Sequence, residues 1–241
     1  MSQKNISAAY LEERPVAEKK SALQWRFIDE GLCDGRYNMA TDQALLTACN
    51  EGESPPTLRL YGWIKPTLTL GYSQDPDKEV DLERCRALDI SVVRRPTGGR
   101  SVLHYREITY SIIAPVNHPR FPPDLAGTYR VISLALLRGL KNLGISNGIL
   151  VDEKKITRKR SPTRSPACFA STSRCEITVN GKKLIGNAQR RMSRAFLQHG
   201  SILIENDRPL QNALFHFENE NLRKKSLDLL IQSSTTLNEV R

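Results

Sequence analysis

Apolar residues in this chain recur in short alternating runs, interrupted by stretches with helical spacing. The first 22 residues are polar and read as a flexible tail before a domain spanning 23–241. Trp25–Asp29 predicts a first strand. A helix follows, with Ala40, Ala44, Leu45 and Ala48 on one side and Asn38 placed as its N-cap. Beyond Pro55-Pro56, Thr57–Trp63 alternates with Leu58 and Leu60 on one side, and Thr67–Tyr72 alternates again, predicting two strands. Asp77–Leu88 reads as one surface helix. Ser91–Arg95 is a short strand feeding the turn Pro96-Thr97-Gly98-Gly99, and Ser101–His104 and Ile108–Ala114 are β-prone.

Asp124–Leu143 carries Val131, Leu134, Leu137 and Leu140 near a 3.6-residue period, with Gly144 as its stop. Cys175–Val179 and Lys182–Ile185 flank Asn180-Gly181, the dipeptide of a two-residue hairpin turn. Phe196–Ile204 predicts another strand and Glu218–Leu230 a closing helix. Strands thus arrive in antiparallel groups with helices interspersed. The expected fold is α+β, a large mixed, mostly antiparallel sheet flanked by helices.

Composition changes this picture little. With 39% hydrophobic and 26% charged residues the chain is ordinary for a globular protein. It has no run of about 18 apolar residues that could span a membrane, and its N-terminus lacks the apolar core of a secretory signal. The five cysteines, Cys33, Cys49, Cys85, Cys168 and Cys175, form no C-x-x-C pair. Their odd number suggests neither a disulfide framework nor a zinc site, and a reducing cytoplasm is the expected setting.

Charge is more informative. Six of the cations behind the +10 total, Lys154 through Arg164, fall within eleven residues that hold no acid; setting them aside leaves +4. The stretch 152–166 reads as a basic, mobile loop, and the overall balance suits an acidic partner.

Four local features can carry chemistry. In Arg94-Arg95-Pro96-Thr97-Gly98-Gly99-Arg100, paired glycines let backbone N–H groups approach a ligand while arginines attract an anion; such a loop also serves as a plain turn. His104 follows just beyond, where a structural role is the ordinary alternative. Cys168 stands at the exit of a cationic loop, the electropositive setting in which a thiol ionises. Lys183 sits on the second strand of the hairpin beside Leu184 and Ile185, so it either snorkels outward or points into a site.

In order along the chain stand R-R-P-T-G-G-R, L-H, P-A-C-F, G-K-K-L-I-G-N-A-Q and Q-H-G-S-I-L. This set resembles the cysteine-dependent octanoyltransferases of lipoyl assembly, in the lipoate–biotin protein ligase superfamily. The likeness extends to the N-M-A-T-D and Y-G-W-I-K-P-T-L-T-L-G-Y blocks and runs from about Trp25 to Val240. It implies the biotin/lipoate ligase catalytic-domain fold, Cys168 as acyl-thioester nucleophile, and Lys183 as the lysine that lowers its pKa. Arg95, Gly98, Gly99 and His104 would line the acyl site, Gly186, Asn187 and Ala188 its opposite wall, and His199-Gly200 would close the sheet beneath. No metal or other cofactor is implied. The donor would be octanoyl-acyl carrier protein and the acceptor a lysine of a lipoyl domain or glycine-cleavage H protein.

The chain departs from the family pattern at Asn187, where serine is commoner, and at Tyr105, where an acid is common. It also stops at Arg241, where the pattern continues into a further helix, so the C-terminal end is read as either shortened or lacking the final element. An ATP-dependent lipoate or biotin ligase, forming an acyl-adenylate, is the rival on the same fold. A nucleic-acid-binding protein built on the basic stretch is a more remote alternative, since neither zinc spacing nor an aromatic-interleaved RNA signature is present.

Overall fold

The computed structural model describes residues 24–150 and 176–241. The expected tail 1–22, the basic loop 152–166, Cys168 and Cys175 lie outside them. β1 (Arg26–Cys33) leads into α1 (Gly35–Glu51). That helix starts before Asn38, because the Asp34 carboxylate accepts from the Arg36 amide and caps it. Asn38 is a buried helical residue instead. Its carboxamide donates to the Gly62 carbonyl at 3.0 Å and accepts from Arg59 at 2.9 Å, bonds a solvent-facing cap could not make.

β2 (Thr57–Trp63) occupies the predicted span, but its buried side is the polar one. Leu58 and Leu60 are half-buried, whereas Arg59 and Tyr61 turn inward to partners on α1. β3 (Thr67–Leu70), β4 (Ser91–Arg94) and β5 (Val102–His104) then form a sheet of their own, ordered β4-β3-β5, so the strands divide between two sheets. The helix expected over 77–88 is two short ones, α2 (Pro76–Glu79) and α3 (Leu82–Ala87). Between them Val80 is extended and buried, bridging to Phe215, and that apolar anchor breaks the helix.

The larger sheet adds β6 (Glu107–Pro115), β7 (Gly148–Leu150), β8 (Ile177–Val179), β9 (Lys182–Arg191) and β10 (Ala195–Leu203). Its order is β1-β2-β6-β10-β9-β8-β7, with β1 and β2 parallel and the other pairs antiparallel. Asn180 (φ 52°) and Gly181 (φ 78°) both take the left-handed conformation that the Asn-Gly turn between β8 and β9 requires.

Alternation along β6 and β10 sends successive side chains to opposite faces. On one face Ile113, Ala195 and Leu197 receive Leu46 and Cys49 of α1. On the other, Tyr110, Ala114 and Phe196 pack with Ile132 and Leu140 of α4 (Leu125–Asn142). The small sheet rests through Leu68, Leu70 and Val102 on Phe215 and Leu230, from the region of α5 (Arg208–Ala213) and α6 (Glu220–Ser233). The last element, α7 (Leu237–Val240), opens on a capping box at Thr236. Among the described residues no helix is long and apolar enough to cross a membrane.

Candidate functional site

On the α1 face of the large sheet the apolar rows end abruptly. Leu197 opposite Ile113 gives way to His199 opposite Ser111, then to Ser201 opposite Thr109. Over this polar end lies the small sheet, leaving a slot between the two. Trp63, Thr109, His199, Ser201 and the β9 stretch Gly186-Asn187-Ala188 line it from the large sheet. Thr69, Arg95, Val102 and His104 line it from the other side.

Two matching hydrogen-bond chains stiffen these walls. Asp42, buried on α1, accepts from Arg59 (2.8 Å), Tyr61 (3.0 Å) and Ser111 (2.7 Å), and binds His199 Nδ1 at 2.8 Å. His199 Nε2 meets Thr97 Oγ1 at 2.7 Å. In the second chain Glu107 binds His104 Nδ1 at 2.8 Å, and His104 Nε2 meets Thr69 Oγ1 at 2.7 Å. The His104 ring stacks on Trp63, centroids 4.2 Å apart. Arg95 joins the chains, donating to Thr97 Oγ1 and to Thr69 Oγ1, each at 3.2 Å.

This wiring assigns the protons. Each threonine oxygen accepts from Arg95 and donates its own hydrogen to a histidine Nε2, so each Nδ1 carries its proton to a carboxylate. Burial pushes the His199 pKa down, and the Arg95 charge adds to that, against the pull of Asp42. Burial would raise the Asp42 carboxyl, but the His199 hydrogen bond and the Arg59 charge outweigh it and hold it below its ordinary value. Both ring nitrogens of each histidine are engaged, and they brace the slot.

Arg95 faces inward. Besides the threonines it donates to the carbonyls of Gly98 and Arg100, both at 2.8 Å, so it shapes its own loop while lining the slot. Gly98 and Gly99 do not line the slot. Gly99 has φ 99°, and its carbonyl lies so near Gly71 that a Cβ there would stand 1.9 Å away. His104, Gly186, Asn187 and Ala188 all reach the slot.

Lys183, three residues before Gly186, is buried, and its ammonium donates to Glu176 Oε1 at 2.5 Å. Its carbonyl accepts from the Thr235 amide at 2.9 Å. Its expected partner, Cys168, lies outside the described residues. The described cysteines are poor nucleophiles: burial raises the thiols of Cys33, Cys49 and Cys85, the last to about 11.

Sequence reasoning assigned no role to Asp42, Arg59, Thr69, Thr97, Glu107 or Glu176. Asp42 was visible as the last letter of N-M-A-T-D. Arg59 stood between two leucines, where an alternating strand conceals which side faces inward.

Gly200 fixes how closely β6, β10 and β9 fit. It pairs with Tyr110 on one side and Asn187 on the other. A Cβ there would lie 2.3 Å from Asn187 Oδ1 and 2.7 Å from the Gly186 carbonyl. Gly200→Ala is expected to cost about 1–3 kcal/mol, read as a lowered urea midpoint. Gly139→Ala, in open space on α4, should instead stabilise by about 0.5–1 kcal/mol. Equal effects of the two would refute the packing account.

Comparison with known proteins bears on this arrangement. The family model described as the lipoyl protein ligase A/B catalytic domain matches residues 34–240. The chain is 44% identical over 218 residues to octanoyltransferase LipM of Geobacillus kaustophilus (strain HTA426), covering 90% of this chain and 78% of that protein. To octanoyltransferase LipM of Staphylococcus aureus (strain NCTC 8325 / PS 47) it is 40% identical over 217 residues, covering 90% and 79%. Among solved structures, the bipartite lipoate protein ligase of Thermoplasma acidophilum has a similar fold, with a TM-score of 0.70 at 21% identity. That likeness covers 90% of this chain and 75% of the other.

Proposed function

The chain belongs to the lipoyl protein ligase A/B catalytic-domain family, and within it to the octanoyltransferases of lipoyl assembly; from that premise we propose a two-step acyl relay. In the first step the Cys168 thiolate attacks an octanoyl thioester on acyl carrier protein. A new thioester forms, and the carrier thiolate leaves and takes up a proton. In the second step the neutral amine of a lysine on a lipoyl-domain acceptor, such as glycine-cleavage H protein, attacks that thioester. An amide forms and Cys168 is released as a thiol. Lys183 supplies the positive charge that favours the thiolate.

The observation that carries this reading is the burial of Lys183 on the same strand as the slot wall Gly186-Asn187-Ala188. Of the Gly186 and Asn187 backbone amides, the one turned away from the β10 ladder is assigned to the developing oxyanion, a role worth roughly 3–4 kcal/mol. Gly98 and Gly99 are less suited, since they stand off the slot. A groove sharing Met39 and Arg95 with the slot is bordered by Arg36, Arg94 and Arg190, and no carboxylate is among its described lining residues. Such a border suits an acidic carrier.

The test is intact-mass measurement after mixing the protein with octanoyl-loaded carrier protein and no ATP. One octanoyl group, removable by hydroxylamine, is expected. A protein that acquires nothing this way, yet modifies a lipoyl domain with octanoate and ATP, is an adenylate-forming ligase.

A further inference from the structure

Lys183 and Glu176 form a buried pair: their side chains are 1% and 4% exposed, and the ammonium stands 2.5 Å from Oε1. Burial opposes the charged form of a lysine strongly enough to neutralise one that has no counter-charge. Two described charges near this strand have partners of their own. The Lys182 ammonium donates to the Ile231 carbonyl at 3.3 Å, and Arg208 pairs with Glu239. The segment crossing the Lys183 backbone, Ser234-Thr235-Thr236, is uncharged. Glu176 immediately precedes β8, and the register between β8 and β9 shifts between Ile177 and Thr178, an irregularity of the kind that re-aims side chains.

We propose that Glu176 is a positioning residue for octanoyl transfer, holding Lys183 in its ammonium form and fixing where that charge points. The inference rests on Lys183 being the cation that serves the thiolate, and adds the group that keeps it charged inside the protein. Glu176 acts through Lys183 and need not touch the acyl group. A lysine without this carboxylate would lose its proton at lower pH and, with it, its hold on the thiolate.

Two measurements on the full chain test this. One is the titration of the Lys183 side-chain nitrogen by NMR with 15N-lysine, its signal assigned by its loss in Lys183→Arg. The other is the pH profile of octanoyl loading from carrier protein. In Glu176→Gln the Lys183 titration is expected to fall by at least about one pH unit, and the alkaline limb of loading to fall with it. Glu176→Asp should restore most of both. An unmoved titration overturns the proposal, and so does a lowered titration with an unmoved rate profile. Should Glu176→Gln fail to fold, the wild type decides: Lys183 must remain charged at pH 8, and a neutral lysine there refutes the proposal. The titration needs no acyl donor, so failure of the pair is distinguishable from failure of the relay itself.

Discussion

Cys168→Ala is expected to acquire no octanoyl group from carrier protein, and its transfer to a lipoyl-domain lysine should fall by at least about a thousandfold. Removing a nucleophile deletes the covalent step, and binding alone leaves only a residue of the rate. The described cysteines offer no substitute. Cys49 and Cys85 are buried, and burial raises their thiols and that of Cys33 above the ordinary value, so each is overwhelmingly protonated near neutrality. Intact mass locates the acyl group and an assay with lipoyl domain gives the rate. Full transfer by Cys168→Ala would falsify the relay and leave direct attack by the acceptor lysine, or an adenylate, as the route.

Asp42→Ala should be the most destabilising single truncation at the slot, costing roughly 3–5 kcal/mol. The carboxylate serves Arg59, Tyr61, Ser111 and His199 together, from a position with no access to solvent. Its loss leaves the buried Arg59 guanidinium with Glu30 as its remaining carboxylate. Against a total stability of about 5–15 kcal/mol, that is a large fraction. Urea unfolding measures it, and a loss below about 1 kcal/mol would show that the network is not held by this charge. The pH dependence has a definite sign. Folded His199 has a pKa below its ordinary value of 6.5, so its contribution is complete above that value and declines as pH falls through it. The depressed Asp42 carboxyl adds a further loss as pH falls from its ordinary value of 3.8 toward the lowered one. In Asp42→Ala the carboxyl loss should vanish, while the His199 loss should grow, because the charge that holds the histidine pKa up is gone.

Local signals in the sequence translated into local structure. Asn180-Gly181 is a left-handed turn, and the helix predicted from Asp124 is capped by that residue and runs Leu125–Asn142. Thr57–Trp63 is the predicted strand to the residue. What stayed illegible depends on distant partners. Asn38 looks like a cap until Gly62 and Arg59 are seen to bind it, and the apparent helix over 77–88 breaks because Phe215, far along the chain, anchors Val80. Arg95, His104 and Gly186–Ala188, drawn from separate motifs, line one slot. The motifs could not reveal that both histidines share their threonines with Arg95, because the Thr97–His199 and His199–Asp42 bonds span 102 and 157 residues. Nor did anything mark Glu176, an acid just before a strand, as the partner of Lys183.

The strand order also governs how the protein can be made. β10 lies between β6 and β9, yet it follows both in sequence. A nascent chain that has emerged only as far as Arg191 therefore carries two strand edges awaiting the same partner, on β6 and on β9. Such edges are templates for pairing with another chain. Ribosomal pauses before Leu203 would prolong that exposure, and His199, inside the missing strand, cannot reach Asp42 until it ends. Pairing this distant in sequence closes slowly. Synthesis is thus the interval in which this domain is most open to misassembly, and a fragment ending before Ala195 would keep that hazard permanently.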